Sequence, residues 1–252
     1  AMAAVNSKLS FAGALGKNAI NNSTRVEIVD QTVGESTGRL TAKAEDKSTI
    51  QNLTGSAAFS GKTALGAAAS YNTIGNTIDT RITNSTLYAD GINIEAIEED
   101  VIKALAAAGS GAGSVAGTAS FALNQSTTSV DALIEESAGN TTLLDSTGDI
   151  DILAKGDSTI ECLTGALALS GSTSIGGSGS YNEIAPDIRA RIDSAELTAD
   201  GSVSLSADRT GDVDATAVAG SVSGSTAIGG SVGVIHVGGT TKALADSADM
   251  EA

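Results

Sequence analysis

The sequence predicts an all-β protein, a parallel β-helix (β-solenoid) wound from half-units of about 55 residues within a 110-residue repeat. Three observations carry that expectation. The first is composition: 252 residues, 41% of them hydrophobic, with 30 Gly, no Trp, three Tyr and three Phe. A globular two-layer core relies on large side chains to fill the space between layers, whereas small residues suit a thin, regular interior. The second is self-similarity. The stretch STIQNLTGSAAFSGKTALGAAASYNTIGNTIDTRITNSTLYADG from Ser48 returns as STIECLTGALALSGSTSIGGSGSYNEIAPDIRARIDSAELTADG from Ser158, a gapless offset of 110 with about half of the positions identical. The third is period-two alternation of apolar and polar residues bounded by Gly, Asn and Asp, the pattern of short strands between tight turns.

The elements follow in order. Residues 1–252 read as one elongated repeat segment, with a partial unit over 1–47, a complete unit over 48–157 and a second partial unit over 158–252. Ala1-Met2 reads as a cloning remnant ahead of an internal fragment. Each unit halves again, because GRLTAKA, GINIEA, GDIDILA and GSVSLSA begin at Gly38, Gly91, Gly148 and Gly201, which lie 53, 57 and 53 residues apart. A Gly/Ala/Ser tract and an isoleucine ladder recur within the 110-residue unit, with Ile74, Ile78 and Ile82 matched by Ile184, Ile188 and Ile192. Asn72 and Asn182 follow Tyr71 and Tyr181, a placement that suggests turn residues tolerant of left-handed geometry. Residues 94–108 place Ile94, Ile97, Val101, Leu105 and Ala108 on one helical face, but the counterpart near 204–218 has no such face. Equivalent repeats share a fold, so a strand is expected there as well. At two or three turns per half-unit the segment would be a rod of roughly 45–65 Å. Ile and Leu would fill its inside, and Ser, Thr, Asn and Asp would cover its outside.

Charge narrows the partners. The 14 Lys and Arg against 30 Asp and Glu leave −16, a balance that repels nucleic acid and anionic lipid. No apolar run approaches the roughly 18 residues of a membrane span and no signal peptide is discernible, so membrane insertion is not expected. The single cysteine, Cys162, has no internal disulfide partner.

Chemistry-bearing residues are sparse, and no catalytic, cofactor or metal-binding set is assigned. His236, the one histidine, sits in the alternating tract GSVGVIHVGG and reads as an outward strand or turn position. Cys162 stands where the preceding repeat has Asn52 and reads as a small filler. The glycine tracts 109–117 and 176–180 lack the Lys-Ser/Thr of a phosphate loop, and close backbone packing explains them better. Glu98-Glu99-Asp100, Asp149 with Asp151, and Asp212 with Asp214 have the oxygen donors that calcium takes, yet no calcium-repeat spacing, and read as a solvated face. Tyr71 with Tyr181 and Arg81 with Arg191 repeat at the 110-residue offset, which suggests structural use; the arginines read as solvated strand residues or partners of nearby acids. The sequons at Asn22, Asn52, Asn84, Asn124 and Asn140 are of the number chance produces in so Asn/Ser/Thr-rich a chain.

Tracts such as AGSVSGSTAIGGSVGV (219–234), SYNEI (180–184), RIDSAELTADGSVSLSA (191–207) and TRITNSTLYADGINIEA (80–96) resemble repeats of leukotoxin-type filamentous adhesins. These are related to the filamentous haemagglutinins exported by two-partner secretion. The resemblance covers nearly the whole chain and lies in the ordered set of elements. It implies a fibrous, non-catalytic exoprotein, secreted or held at a bacterial cell surface, that attaches to a host-cell receptor or glycan. Two alternatives accompany it: a leukotoxin segment acting on host cells, and a carbohydrate-active β-helix enzyme, which the missing aromatics disfavour. Cut strand edges at the fragment's ends would also favour end-to-end self-association.

Overall fold

A computed structural model describes residues 8–137 and 140–252; the Ala1-Met2 reading lies outside them. Every regular element is a strand. An incomplete first coil holds β1 (Leu9–Ile20), β2 (Ser23–Val29) and β3 (Thr32–Val33). The second holds β4 (Arg39–Ser60), β5 (Thr63–Ile74), β6 (Thr77–Thr83) and β7 (Thr86–Ala89). The third holds β8 (Gly91–Ala112), β9 (Val115–Ser126), β10 (Ser129–Glu135) and β11 (Thr142–Ser146). The fourth holds β12 (Ile150–Ser170), β13 (Thr173–Ile184), β14 (Asp187–Asp193) and β15 (Ala195–Ala199). The last holds β16 (Val203–Ser223), β17 (Thr226–Val237), β18 (Thr240–Asp246) and β19 (Asp249–Glu251).

Each strand pairs in parallel with its counterparts in the coils before and after it, which gives four stacked sheets. The long sheet is β4-β8-β12-β16, the broad sheet β1-β5-β9-β13-β17, the narrow sheet β2-β6-β10-β14-β18 and the short sheet β3-β7-β11-β15-β19. This is the parallel β-solenoid. Its winding differs from the expectation. One half-unit makes a single wide coil rather than two or three turns, so five stacked strands rise only ~19 Å. The reason is the length of β4, β8, β12 and β16: their alternation runs unbroken for 21 or 22 residues, through the Gly/Ala/Ser tracts, without a turn. The 110-residue repeat is therefore two coils, and Ser48, Asp100 and Ser158 stack as neighbours.

The segment with a helical face is strand β8. Ile94 and Ala108 point inward, but Ile97, Val101 and Leu105 lie on the outer face, and the inward row is Ile92, Ile94, Ala96, Glu98, Asp100, Ile102, Ala104. Ladder hydrogen bonds to β4 and β12 decide the matter over the local periodicity.

Among the described residues three apolar clusters fill the interior, the smallest being Ala12, Ala58 and Ala64. Two are larger. One joins the first half of the long sheet to the narrow and short sheets, around Ile78, Ile82, Ile92, Ile94, Ile150, Ile152, Ile188 and Ile192. The other, around Ile50, Ile74, Ile102, Ile160 and Ile184, lies where the long and broad sheets begin to face each other. Beyond it the expected inside and outside are exchanged. The two sheets form a thin blade lined by Ser10, Ser56, Ser70, Ser120, Thr164, Ser174 and Ser178, while Phe11, Phe59, Leu65, Phe121, Leu167 and Ile175 point outward. Close approach dictates this. A Cβ added to Gly66 would sit 2.5 Å from the Gly109 carbonyl oxygen, and one added to Gly176 would sit 2.7 Å from that of Gly220. Only small side chains fit between sheets so near, as expected for the glycine tracts.

Asn72 and Asn182 are not turn residues. They are fully buried strand positions in an amide ladder: Asn18 donates to Asn72 (3.0 Å), Asn72 to Asn124 (2.8 Å) and Asn124 to Asn182 (2.8 Å). In parallel stacking each of these amides meets its own kind one coil away, until the ladder ends at Asn182, whose amide nitrogen faces Ile235 of the next coil and has no partner among the described residues. Among the described residues the non-glycine left-handed positions are Asp30, Asn84, Ser194 and Ser247, at the corner that follows the narrow sheet.

Candidate functional site

Two places concentrate polar chemistry. The first is inside, at the middle of the long sheet, opposite the corner that joins the broad and narrow sheets. The alternation that buries Ile94 and Ile102 also forces Glu98 and Asp100 inward, each 1% exposed, and β4 brings Asp46 beside them at 9%. Only Glu99 of that acidic run is solvated, so the solvated-face reading fails for its two neighbours. The stack supplies partners. Asn76 donates to Asp46 (2.9 Å), Ser48 (2.9 Å) and Asp100 (3.3 Å), and Asn22 donates to Asp46 (3.1 Å). Thr128 (2.6 Å) and Ser126 (2.9 Å) donate to Asp100. Glu98 accepts from the Asp157 amide (3.0 Å) and the Ser158 hydroxyl (3.2 Å). Gly156 makes room for it, because a Cβ there would lie 2.9 Å from a Glu98 carboxylate oxygen.

Burial, then the nearby Asp100 carboxyl, pushes Glu98 up to about 9, and burial also raises Asp100. A protonated Glu98 donates to Asp100, which relieves the repulsion between the two buried carboxyls. Among the described residues neither carboxyl forms an ion pair; in the same interior row β16 places Arg209, which donates to the Gly238 carbonyl instead. Among the described residues no group of three or more His, Cys, Asp or Glu side chains gathers as metal ligands. This cluster is a closed structural network rather than an accessible site.

The second place is outside, on the same sheet. Gln51, Lys103, Glu161 and Asp214 stack in one outward row, and Leu53, Leu105, Leu163 and Thr216 stack in the next. Together they line an open trough of about 800 Å³. Lys103 and Glu161 pair across adjacent strands at 2.9 Å, half-exposed. A polar rail beside an apolar rail, repeated at the strand spacing, suits an extended ligand lying across the strands. Sequence reasoning missed it because Leu53, Leu105 and Leu163 read as core until the register shows them outside.

The remaining sequence candidates disperse. His236 lies outward on β17, in the row of Glu183. Cys162 is buried, aligned with Asn52 and Ala104, and burial pushes its thiol up, which keeps it inert. Tyr71 and Tyr181 share an outward row of the broad sheet, separated by Leu123. Tyr71 carries the Lys17 ammonium 5.6 Å from its ring centre, and Tyr181 donates to Glu183 (3.3 Å). Arg81 bridges Asp79 (3.4 Å) and Glu135 (3.1 Å), and Arg191 pairs with Asp193 (2.6 Å), so both serve nearby acids. Asp149 accepts from the amide (2.8 Å) and hydroxyl (2.9 Å) of Ser202, which hold its carboxyl below the usual range. Asp212 and Asp214 are exposed. The Asn124 sequon is wholly buried in the amide ladder.

Comparison with family models, with curated proteins and with solved structures yields no match, so function is argued from this chain's own surfaces.

Proposed function

We propose that this chain is an adhesive or structural repeat segment of a large secreted bacterial surface protein, one that works by recognition and carries out no reaction. The observation that supports this reading is the outer trough, whose polar rail takes one residue from each of the four strands of the long sheet and whose apolar rail takes a leucine from three of them. An extended host-cell protein or glycan laid across β4, β8 and β12 would meet both rails at each step of ~4.8 Å. A non-catalytic role is further supported by the buried Cys162, whose thiol burial pushes up.

The test is saturable binding of the labelled protein to epithelial cells and leukocytes, beside a same-length segment from another part of the repeat array. A trough variant, Lys103→Glu with Leu163→Asp, is compared once its circular dichroism matches that of the wild type. Saturable binding that the variant loses supports the reading. Binding no greater than the control's overturns attachment through this segment and makes it a spacer.

A further inference from the structure

Outside the trough, the outer face of the broad sheet is an exposed apolar surface without an internal role. Phe11, Leu65, Ile175 and Ile228 form one exposed ridge with Gly117. A smooth column of Gly and Ala runs beside it, through Gly13, Ala67, Ala119, Gly177 and Gly230, and borders a shallow hollow of about 480 Å³. Leu15, Phe121 and Val232 stand on the far side of that column. Glycine and alanine are poor strand residues on a solvated sheet, so a bare column kept through five coils has no local rationale.

Charge is segregated from this face. The stretches 9–17, 63–71, 115–123, 173–181 and 226–234 contain none of the 30 Asp and Glu residues, and Lys17 is their one cation. Self-repulsion at −16 therefore acts from elsewhere on the molecule. Five strands across and nine residues along give a face of about 700 Å², so two copies joined here would bury roughly 1,400 Å², within the range of stable specific interfaces. The surface is also complementary to itself, since a ridge of one copy fits the smooth column of another turned about a two-fold axis. A lipid bilayer fits less well. The chain's charge of −16 repels anionic lipid, and Lys17 is the one cation these stretches offer it.

We infer that the outer face of the broad sheet is a self-association surface, on which a second copy of this chain packs side by side through the ridges and the Gly/Ala column. This contact is distinct from end-to-end joining of cut strand edges, which uses the two ends of the stack. Analytical ultracentrifugation of the wild type and of Leu65→Glu/Ile175→Glu separates the two. The wild type is expected to dimerise, and more tightly as salt rises, because screening relieves the repulsion while the apolar contact is kept. The double variant, with unchanged circular dichroism and melting temperature, is expected to dimerise at least ~100-fold more weakly. A wild type monomeric at 100 µM overturns the inference, as does a dimer that survives both charges. Flotation of monomeric protein with neutral phosphatidylcholine vesicles also overturns it, in favour of lipid. If the double variant misfolds, Ala119→Glu at the centre of the smooth column replaces it, read in the same way.

Discussion

Replacing Glu98 by Gln tests whether a carboxyl walled into the solenoid is held neutral. In the unfolded chain this group ionises near 4.5; in the fold burial and Asp100 push it to about 9. Between those values the folded state keeps a proton that the unfolded chain has released. Stability from Glu98 is thus complete below about 4.5 and is lost progressively as pH rises toward 9. The limiting slope is ~1.4 kcal/mol per pH unit, so moving from pH 6 to pH 8 costs up to ~3 kcal/mol, a large share of the 5–15 kcal/mol that typically holds a domain. Glutamine imitates the protonated acid in size and can still donate to Asp100, but its amide nitrogen cannot accept from Ser158 or Asp157. The assay is urea unfolding of both proteins at half-unit steps from pH 5 to 9, and the quantity of interest is the wild-type stability minus the variant's. Groups that titrate alike in both proteins cancel. The difference should favour the wild type near pH 5, fall at close to the limiting slope and reverse sign before pH 9. A difference flat between pH 5.5 and 8.5 would mean that Glu98 is ionised in the fold, and the argument from burial would be wrong.

Other substitutions probe the remaining devices. Asn124→Ala removes the rung between Asn72 and Asn182 and should cost ~1–3 kcal/mol, read as a lower urea midpoint. Gly66→Ala drives a methyl against the Gly109 carbonyl and should lower the melting temperature by several degrees, whereas Gly109→Ala, whose Cβ would meet nothing within 4 Å, should stay within ~0.5 kcal/mol of wild type. Ile78→Ala opens a cavity in the larger apolar cluster and should cost ~2–5 kcal/mol in the same urea assay.

Strand identity and the solenoid class were legible because periodicity and repetition agree: Ile74, Ile78 and Ile82 alternate in the sequence and are buried together, as are Ile184, Ile188 and Ile192. Coil circumference was not legible, since nothing local marks where a 22-residue strand bends or ends. The exchange of inside and outside in the blade was hidden for a related reason. Alternating Ser and Leu gives the same pattern whichever set faces in, and only the distance between the sheets, set by Gly66 and Gly176, selects the serines. The buried acids were misread because Glu98 and Asp100 have their partners Asn76, Ser126, Thr128 and Ser158 at least 24 residues away in the chain. A repeat offset aligns such residues with their counterparts but does not say what lies across the interior. The trough and the broad-sheet face emerged only once register fixed which leucines and valines are outward.

Coil length is uneven, and the surplus is confined. The third coil is longer than the second, and its added residues fall chiefly between β10 and β11, where the offset to the preceding coil grows from 52 at Ser129 to 57 at Leu143. The strands on either side resume parallel pairing without a break. Added chain between β10 and β11 is therefore absorbed without a shift of register, since the ladders on either side keep their alignment. An insertion at this edge would leave the isoleucine stacks in register, so one scaffold accommodates a different outline at each level along its axis.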